Sequence, residues 1–505
     1  MKKLIILILL FLCFCYFFSY LFNRKKLSLI KIGTNSKPET LLPYKTSRSD
    51  AYRLLYFLYD NLCDVDYKNN VEISQMIELF QINKNEIILT LKKGIYFHKG
   101  TEATAIDVKY SLQQAIEANR YNIRASIFKT ITNIEILDRY SLKIKLSAFY
   151  PPLLHDFVTV TLVHPPNEEV NGTGPFMLEK QNSNLLILKK NNQYFKKIPK
   201  SERIIFYHYE NQHQLWRALL ENKIDFADDL ILEDFKNLKK NEKFQGYTYL
   251  GHLYFVIAFN HNDPLFSSKK VRIALNYAIN KDKIIENYWG GYGVICKSSI
   301  FPESSAYNDN ISSLSYNPQK TIQLLKEEGW ELNTKTGLLQ KGNKIFEFKL
   351  YFDREDQSKE IIANQIAIDL FEFGIRVKMQ AVPRKDFVEK IFMDKEFQAV
   401  FIQFTGESPD ASYNFWHSSQ IENGFNCCSY KNSVVDQYLW LGRTTVDKEK
   451  QKNYYLKYQE AFINDPPGIL LYYRYNFAIG RKNLKGIKSN MFGFFNNVEE
   501  WYLEK

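Results

Sequence analysis

With 505 residues, the chain is too long for one ordinary hydrophobic core, so two or three domains are expected. Its content of 45% hydrophobic and 24% charged residues is typical of a globular protein and excludes a largely disordered chain. The formal net charge is +11, but basic residues are scattered among acidic ones and no recognisable nucleic-acid-binding module is present. No nucleic-acid partner is therefore expected.

Residues 1–26 are predicted to form a signal or anchor segment. Lys2 and Lys3 precede an unbroken apolar stretch, residues 4–22, and further basic residues follow it. As a helix rising about 1.5 Å per residue, this stretch would nearly cross the roughly 30 Å hydrocarbon core of a bilayer. A secretory signal also needs small residues at its cleavage site, whereas the stretch ends in bulky side chains. An uncleaved membrane anchor is favoured, and cleavage of the leader is the open alternative.

The six cysteines give no metal signature, because no CxxC pair occurs. Two of them lie in the apolar stretch. Buried free thiols are the default expectation. A disulfide between Cys63 and Cys296 is the alternative in an oxidising compartment. The cysteine positions are Cys13, Cys15, Cys63, Cys296, Cys427 and Cys428.

The elements of the first half follow from periodicity and turn chemistry. Ile87, Leu89 and Leu91 alternate with more polar residues, which predicts a strand, and Gly94 predicts the turn after it. Thr104 followed by Asp107 resembles a capping box with the shorter acid and predicts the start of a helix. Strands are also predicted over residues 27–33, 142–146, 159–164, 204–209 and 224–226, and helices over 49–62 and 214–221.

Residues 251–289 form the most informative stretch. The apolar run Leu253–Phe259 predicts a buried strand, and polar turn residues follow it. Ser267 or Ser268 can cap the next helix, whose apolar residues recur at helical spacing, and Asn280 can cap a second helix over 281–288. Beyond it, helices are predicted over 318–330 and 358–373, and strands over 349–352, 397–404, 469–473 and 477–479.

Three segments in this order resemble a known family. They are FHKG with AIDVKYSL (residues 97–100 and 105–112), GTGPF (172–176), and AFN with VRIALNYAI (258–260 and 271–279). Together they resemble the extracytoplasmic solute-binding proteins of family 5, the dipeptide- and oligopeptide-binding proteins of peptide ABC transporters. Lys99 stands where this family commonly has an aspartate, in a surface turn.

The resemblance implies an α/β fold of the periplasmic-binding-protein-like type II, with two lobes and a cleft. The first lobe would span residues 27–260, with an inserted subdomain at about 50–170; the second lobe would span 261–479, and 480–505 would return to the first. A short peptide would be trapped between lobes that close by hinge motion and delivered to the permease subunits of an ABC transporter. The resemblance further implies a monomer without catalysis or cofactor, in the periplasm or at the outer face of the cytoplasmic membrane, tethered by residues 4–22.

The predicted ligand loop is FTGESPDASYNFW, residues 404–416. Gly406 and Pro409 interrupt regular structure directly after a buried strand, a common position for a ligand loop in α/β proteins. The resemblance implies that a carboxylate here binds the α-amino group of the peptide, with Glu407 as first candidate and Asp410 as second. The alternative is that both acids are merely solvated. The other predicted ligand contacts are Phe404, Thr405, Gly406, Trp416, His417, Arg354, Ser47 and Ser49.

Three alternatives remain open. Dipeptide-specific relatives hold the ligand carboxylate with an arginine where this chain has Gln357, so a longer peptide held by its backbone is favoured. His417 lies in the region where nickel-binding relatives use a histidine, so a nickel chelate or another non-peptide solute is an alternative ligand, although one histidine predicts no metal site. Outside the family the alternatives are an exported hydrolase, for which the chain has no GxSxG, HExxH or P-loop motif, and an envelope structural protein.

Overall fold

The structure, a computed structural model, describes residues 28–45, 49–118, 128, 130–148 and 153–504. The predicted anchor over residues 4–22 lies outside these ranges. Within them, no helix has both the length and the apolar character needed to cross a membrane.

The described strands are numbered in chain order. They are β1 Leu29–Thr34, β2 Cys63–Val65, β3 Val71–Ile73, β4 Ile77–Asn83, β5 Glu86–Leu91, β6 Ile131–Ile136, β7 Ser141–Leu146, β8 Phe176–Gln181, β9 Leu185–Lys190, β10 Arg203–His208, β11 Phe226–Asp228, β12 Phe244–Phe259, β13 Gly293–Ile295, β14 Glu331–Asn333, β15 Leu338–Lys341, β16 Lys344–Ile345, β17 Glu347–Asp353, β18 Arg376–Val382, β19 Ala399–Thr405, β20 Gly468–Arg481, β21 Leu484–Lys485 and β22 Tyr502–Leu503.

The described helices are numbered in the same way. They are α1 Ser49–Leu58, α2 Ala105–Ala118, α3 Leu153–Phe157, α4 Gln212–Leu220, α5 Leu232–Lys239, α6 Lys269–Ala278, α7 Lys281–Trp289, α8 Pro318–Glu327, α9 Gln357–Phe371, α10 Arg384–Val388, α11 Ala411–Trp416, α12 Gln420–Asn423, α13 Ser433–Thr444 and α14 Lys448–Asn464. A π-helical turn, Glu389–Met393, follows α10, and a short 3-10 helix spans Phe495–Glu500.

The described residues form one eleven-stranded sheet in the order β18-β17-β19-β12-β20-β11-β1-β10-β9-β8, with β13 paired to β20. Its centre is the antiparallel pair β12–β20. We call β19, β17 and β18 the β19 side of this sheet, and β11, β1, β10, β9 and β8 the β1 side. β17 is parallel to both β18 and β19, and β1 is parallel to both β10 and β11.

The central pair runs from Phe244 opposite Arg481 to Ala258 opposite Gly468. Its register is interrupted between Leu250, which faces Tyr475, and Tyr254, which faces Tyr473. Three β12 residues, 251–253, therefore lie opposite Arg474 alone, and we call them the β12 bulge. Such irregularities redirect side chains and often accompany functional sites.

Two apolar cores cover the two faces of the large sheet at the carboxyl end of β12. Tyr254 and Val256 point into the core that contains Trp416, whereas Phe255 and Ile257 point into the core under α6 and α9. Successive side chains of a strand point to opposite faces, so this stretch is buried on both sides. That double burial explains the unbroken apolar run in the sequence.

A second, four-stranded sheet, β4-β5-β7-β6, packs against α2 with a core of its own. It falls within residues 77–146, inside the range predicted for the inserted subdomain. The predicted capping box is confirmed in part, since Asp107 Oδ2 accepts hydrogen bonds from Thr104 N at 2.7 Å and Thr104 Oγ1 at 2.9 Å. Both groups are thereby satisfied at the start of α2.

Several local predictions differ from the structure. The predicted strand 253–259 is the last part of the longer β12, and helix α1 ends at Leu58 rather than at residue 62. The predicted strand 159–164 is wrong: this segment makes only an isolated bridge between Thr161 and Asn61, because it contacts residues 60–62 over too short a length for a ladder. The cap predictions at Ser268 and Asn280 are confirmed.

The four described cysteines are buried and free. Cys63 and Cys296 form no disulfide with each other. Cys427 and Cys428 have their sulfur atoms 3.8 Å apart, without a bond between them.

Candidate functional site

A cavity of about 1020 Å³ lies at the β12 bulge and is lined from both sides of the large sheet. This volume is at the upper end of the range for small-molecule pockets. Segments next to the β1 side contribute one group of lining residues, and the central pair and the β19 side contribute the other. The first group includes Ser36, Arg53, Tyr56, Tyr59, Asn61, Thr161 and Asp229; the second includes Tyr249, His252, Leu253, Phe255, Asp356, Arg384, Gln403, Arg474 and Asn476.

The strand topology explains the position of this cavity. β17 and β19 are parallel, so their carboxyl ends meet at the same edge of the sheet. Ligands of open α/β sheets bind in the crevice outside such ends. Asp356 follows β17 and caps α9 by accepting from Lys359 N, while Gln403 lies near the end of β19.

Gly406 holds the predicted ligand loop close to the sheet. Its N–H donates to the carbonyl of His252 at 2.8 Å, and its carbonyl accepts from Phe301 N at 3.3 Å. A Cβ atom at this position would lie 2.8 Å from Ser299 O and from Tyr473 Oη. The close approach therefore requires glycine here, and it attaches the start of the loop to the β12 bulge.

Glu407 lies beside the cavity. Its side chain is 16% exposed, and its Oε2 lies 3.7 Å from Nε2 of His252, which lines the cavity. His252 Nδ1 lies 2.9 Å from Met491 O. A carbonyl can only accept, so Nδ1 donates this hydrogen bond, and Nε2 is the ring atom that faces the Glu407 carboxylate.

Asp410 has a different environment. It is 4% exposed, and its two oxygens accept from Arg443 Nε at 2.8 Å and Arg443 Nη2 at 2.7 Å. The guanidinium of Arg443 also lies 3.7 Å from the centre of the Tyr413 ring. A buried bidentate pair of this kind neutralises the Asp410 carboxylate within the protein. Of the two predicted acids, Glu407 is the better candidate for an external ammonium group.

His155 lies close enough to both acids for their charges to act on it. It lies on α3, in the range predicted for the inserted subdomain. Burial lowers the pKa of His155, while the nearby carboxylates of Glu407 and Asp410 oppose that shift. α3 and the predicted ligand loop are thus near neighbours.

Phe404 and Trp416 are placed in the core rather than on the cavity wall. Phe404 is 3% exposed and its ring centre lies 4.6 Å from that of Phe415. Trp416 is fully buried and donates from Nε1 to Tyr254 Oη at 2.8 Å. Thr405 lies opposite Leu253, a cavity residue, and its Oγ1 accepts from Glu407 N at 3.2 Å. These three residues support the loop from the side that faces away from the cavity.

His417 is packed rather than open to a ligand. Its side chain is 14% exposed and its ring stacks on Tyr413 at 4.2 Å. Burial lowers its pKa, although Asp436, 4.0 Å away, opposes the shift. Within the described ranges, no group of three or more histidine, cysteine or acidic side chains could hold a metal ion.

The remaining predicted contacts lie outside the cavity or outside the described side chains. Arg354 is exposed, and its guanidinium lies 3.4 Å from Ala381 O. Ser47 falls outside the described residues. Ser49 begins α1, but only its backbone is described.

Several cavity residues were not predicted from the sequence. Arg53 pairs with Asp228 at 2.9 Å and with Asp229 at 3.3 Å. Burial raises the pKa of Asp228, an effect that the Arg53 charge opposes. Arg474 did leave a signal, because an arginine inside the apolar run of β20 is unusual for a buried strand. Nothing in the local sequence indicated the β12 bulge that places His252 at the cavity.

Comparisons with known proteins agree with this geometry. The family model described as bacterial extracellular solute-binding proteins, family 5 Middle, matches residues 81–426. The oligopeptide-binding protein AppA of Bacillus subtilis (strain 168) is 27% identical over 497 residues, covering 94% of this chain and 91% of that protein. The glutathione-binding protein GsiB of Shigella flexneri is 24% identical over 481 residues, covering 91% of each chain.

Solved structures show the same fold. That of AppA from Bacillus subtilis in complex with a nonapeptide has a TM-score of 0.76 at 25% identity and covers 94% of this chain and 99% of that one. The structure of NikZ from Campylobacter jejuni in complex with Ni(L-His) has a TM-score of 0.75 at 24% identity. It covers 94% of this chain and 99% of that chain. The predicted periplasmic-binding-protein-like type II fold is confirmed. The family model matches more than half of this chain, so the chain belongs to family 5 of the bacterial extracellular solute-binding proteins.

Proposed function

We propose that this chain is the extracytoplasmic binding component of a peptide ABC transporter, which captures a short peptide and delivers it to the permease subunits. The observation that carries the proposal is the cavity of about 1020 Å³ lined from both sides of the large sheet. Its walls combine aromatic rings, such as Tyr56 and Phe255, with amide and charged groups. Such walls suit a ligand with a polar backbone and varied side chains.

Glu407 binds the α-amino group of the peptide in this proposal. Its carboxylate lies beside the cavity, 3.7 Å from Nε2 of His252, whereas Asp410 is paired with Arg443. A charge-assisted hydrogen bond from an ammonium group to a partly enclosed carboxylate is strong. The family resemblance supports the same assignment, because Glu407 stands where relatives carry the amino-binding acid.

The two lobes, predicted as residues 27–260 with 480–505 and as residues 261–479, close around the peptide by a hinge motion. The proposed hinge is the central pair β12–β20, the two long strands shared by both sides of the sheet. Residues 4–22 would tether the monomeric protein to the outer face of the cytoplasmic membrane.

Native mass spectrometry of the purified full-length chain tests this function. Co-purified or added short peptides that leave the protein on unfolding support the proposal. A bound metal complex without peptide would instead favour the nickel-chelate alternative. A protein that binds neither and hydrolyses test esters would favour an exported hydrolase.

A further inference from the structure

Arg474 is a cavity-lining arginine on β20, directly opposite the β12 bulge. Its guanidinium lies 5.5 Å from the ring centre of Phe255 and 5.0 Å from that of Trp289. Contacts of this kind attract the cation electrostatically without a hydrogen bond to an acceptor atom. The aromatic rings therefore position Arg474 without using its hydrogen-bonding capacity.

The other arginines of the cavity already have acidic partners. Arg53 pairs with Asp228 and Asp229, and Arg384 Nε donates to Asp353 Oδ2 at 2.9 Å. Among the described residues, the Arg474 side chain has no ion pair with a carboxylate and donates no hydrogen bond. Arg474 is thus the cavity arginine whose positive charge the described part of the protein leaves uncompensated.

Asp356, the cavity acid that follows β17, already has partners of its own. Asp356 accepts from Ser358 Oγ at 2.6 Å and from Lys359 N at 3.4 Å, and its Oδ2 lies 3.8 Å from Lys359 Nζ. Its carboxylate compensates the buried lysine and caps α9. It is therefore committed to its own helix rather than to Arg474.

Gln403 provides a second, independent observation in the same cavity. Its Oε1 atom is buried and accepts no hydrogen bond from the described residues. Gln403 faces Phe255 in the β19–β12 ladder, and Phe255 is the ring next to Arg474. A buried acceptor without a donor is costly, and such groups in native structures usually have a specific reason. Here a ligand N–H would satisfy it.

We propose that Arg474 binds a carboxylate of the ligand and that a neighbouring N–H of the ligand donates to Gln403 Oε1. The inference rests on the proposed function and adds the acidic group that a peptide carries besides its amino group. Two sources share this chemistry: the α-carboxylate at the peptide C-terminus and an acidic side chain. Arg474 supplies the cation for this group from β20.

A competition experiment with the full-length chain tests the inference. A random-sequence oligopeptide pool is prepared as free acids and, separately, as C-terminal amides, and the captured peptides are compared by native mass spectrometry. Loss of a charge-assisted hydrogen bond changes affinity roughly 10- to 100-fold, so the free acids should be enriched by about that factor. If the acidic group is a side chain, amidated peptides with aspartate or glutamate should be enriched over those with asparagine or glutamine instead.

Arg474→Met keeps the length and the aromatic packing of the side chain but removes its charge. It should abolish the preference for carboxylates, so that free acids and amides are captured in equal amounts. Arg354→Met is the matched control, because that arginine is exposed and does not line the cavity; it should keep the preference. Arg474→Lys should retain a weaker preference.

The outcomes separate this inference from the function on which it rests. If peptides of both pools bind equally to the wild type and acidic side chains confer no advantage, the role of Arg474 is wrong while the peptide-binding function stands. An unchanged carboxylate preference in Arg474→Met contradicts it as well. If no peptide of either pool binds, the proposed function itself fails, and this inference with it.

Discussion

Glu407 and Asp410 are three residues apart, yet they differ in what already holds them. Asp410 forms a buried bidentate pair with Arg443, whereas Glu407 lies 3.7 Å from Nε2 of His252. The free energy for binding an ammonium group is therefore better supplied by Glu407, because recruiting Asp410 would require breaking its pair with Arg443.

Glu407→Gln should weaken peptide binding about 10- to 100-fold, since it replaces a charge-assisted hydrogen bond with a neutral one of the same shape. Isothermal titration calorimetry measures the change. Arg354→Ala is the control, because Arg354 is exposed and lies outside the cavity. Equal and negligible effects of both substitutions would contradict the assignment of Glu407.

Lys281 predicts a pH dependence of stability. It is 2% exposed, its Nζ donates to Leu314 O at 2.9 Å, and burial lowers its pKa to about 7. An unfolded lysine keeps its proton up to about pH 10.4. Between these values the unfolded state binds more protons, so the free energy of unfolding rises with pH, by at most about 1.4 kcal/mol per unit.

Denaturant unfolding of the wild type and of Lys281→Met between about pH 7.5 and 9.5 isolates this contribution. The wild type should gain stability relative to the variant as the pH rises. Lys283→Met, an exposed position on the same helix, should show no such trend. A difference between wild type and Lys281→Met that does not vary with pH would show that Lys281 is not buried as an uncharged group.

At the scale of elements, the cap of α7 gives a stability prediction. Asn280 Oδ1 accepts from Lys283 N at 3.0 Å, which satisfies one of the amides that the first helical turn leaves unpaired. Asn280→Ala should lower the free energy of unfolding by about 1 kcal/mol, and Asn280→Ser should largely preserve it. Equal losses for alanine and serine in denaturant unfolding would contradict a capping role.

Elements whose signals are local were predicted well. The Ser268 and Asn280 caps and the Gly94 turn, whose φ is +80°, depend on residues within one turn of each other. The full length of β12 could not be predicted, because the pattern of Phe244–Gly251 mixes exposed and buried positions. Its pairing with β20, more than 200 residues later in the chain, decides its limits, and such pairing leaves no local trace.

At the scale of the whole molecule, small-angle scattering tests the closure of the lobes. Saturating peptide should reduce the radius of gyration, because a ligand that contacts both walls of the cavity favours the closed arrangement. Glu407→Gln at the same peptide concentration should respond less. Identical profiles with and without peptide would contradict hinge closure.

The site was predictable only in part, for a reason that concerns the whole molecule. Glu407 is the residue of the predicted ligand loop that lies beside the cavity. The charged residues of the cavity walls are Arg53, Arg384 and Arg474, which are far apart in sequence. Such residues converge only in the folded chain. A single sequence indicates which loop follows a buried strand, but not which distant strands face that loop.

The free cysteines have a consequence for how this protein folds. Cys63, Cys296, Cys427 and Cys428 are all buried as thiols, so the described part of the chain requires no oxidation to reach its fold. Burial raises the pKa of Cys63 and of Cys296 to about 12, which keeps both in the unreactive protonated form. A strong reductant should therefore leave the melting temperature of the described part of the protein unchanged.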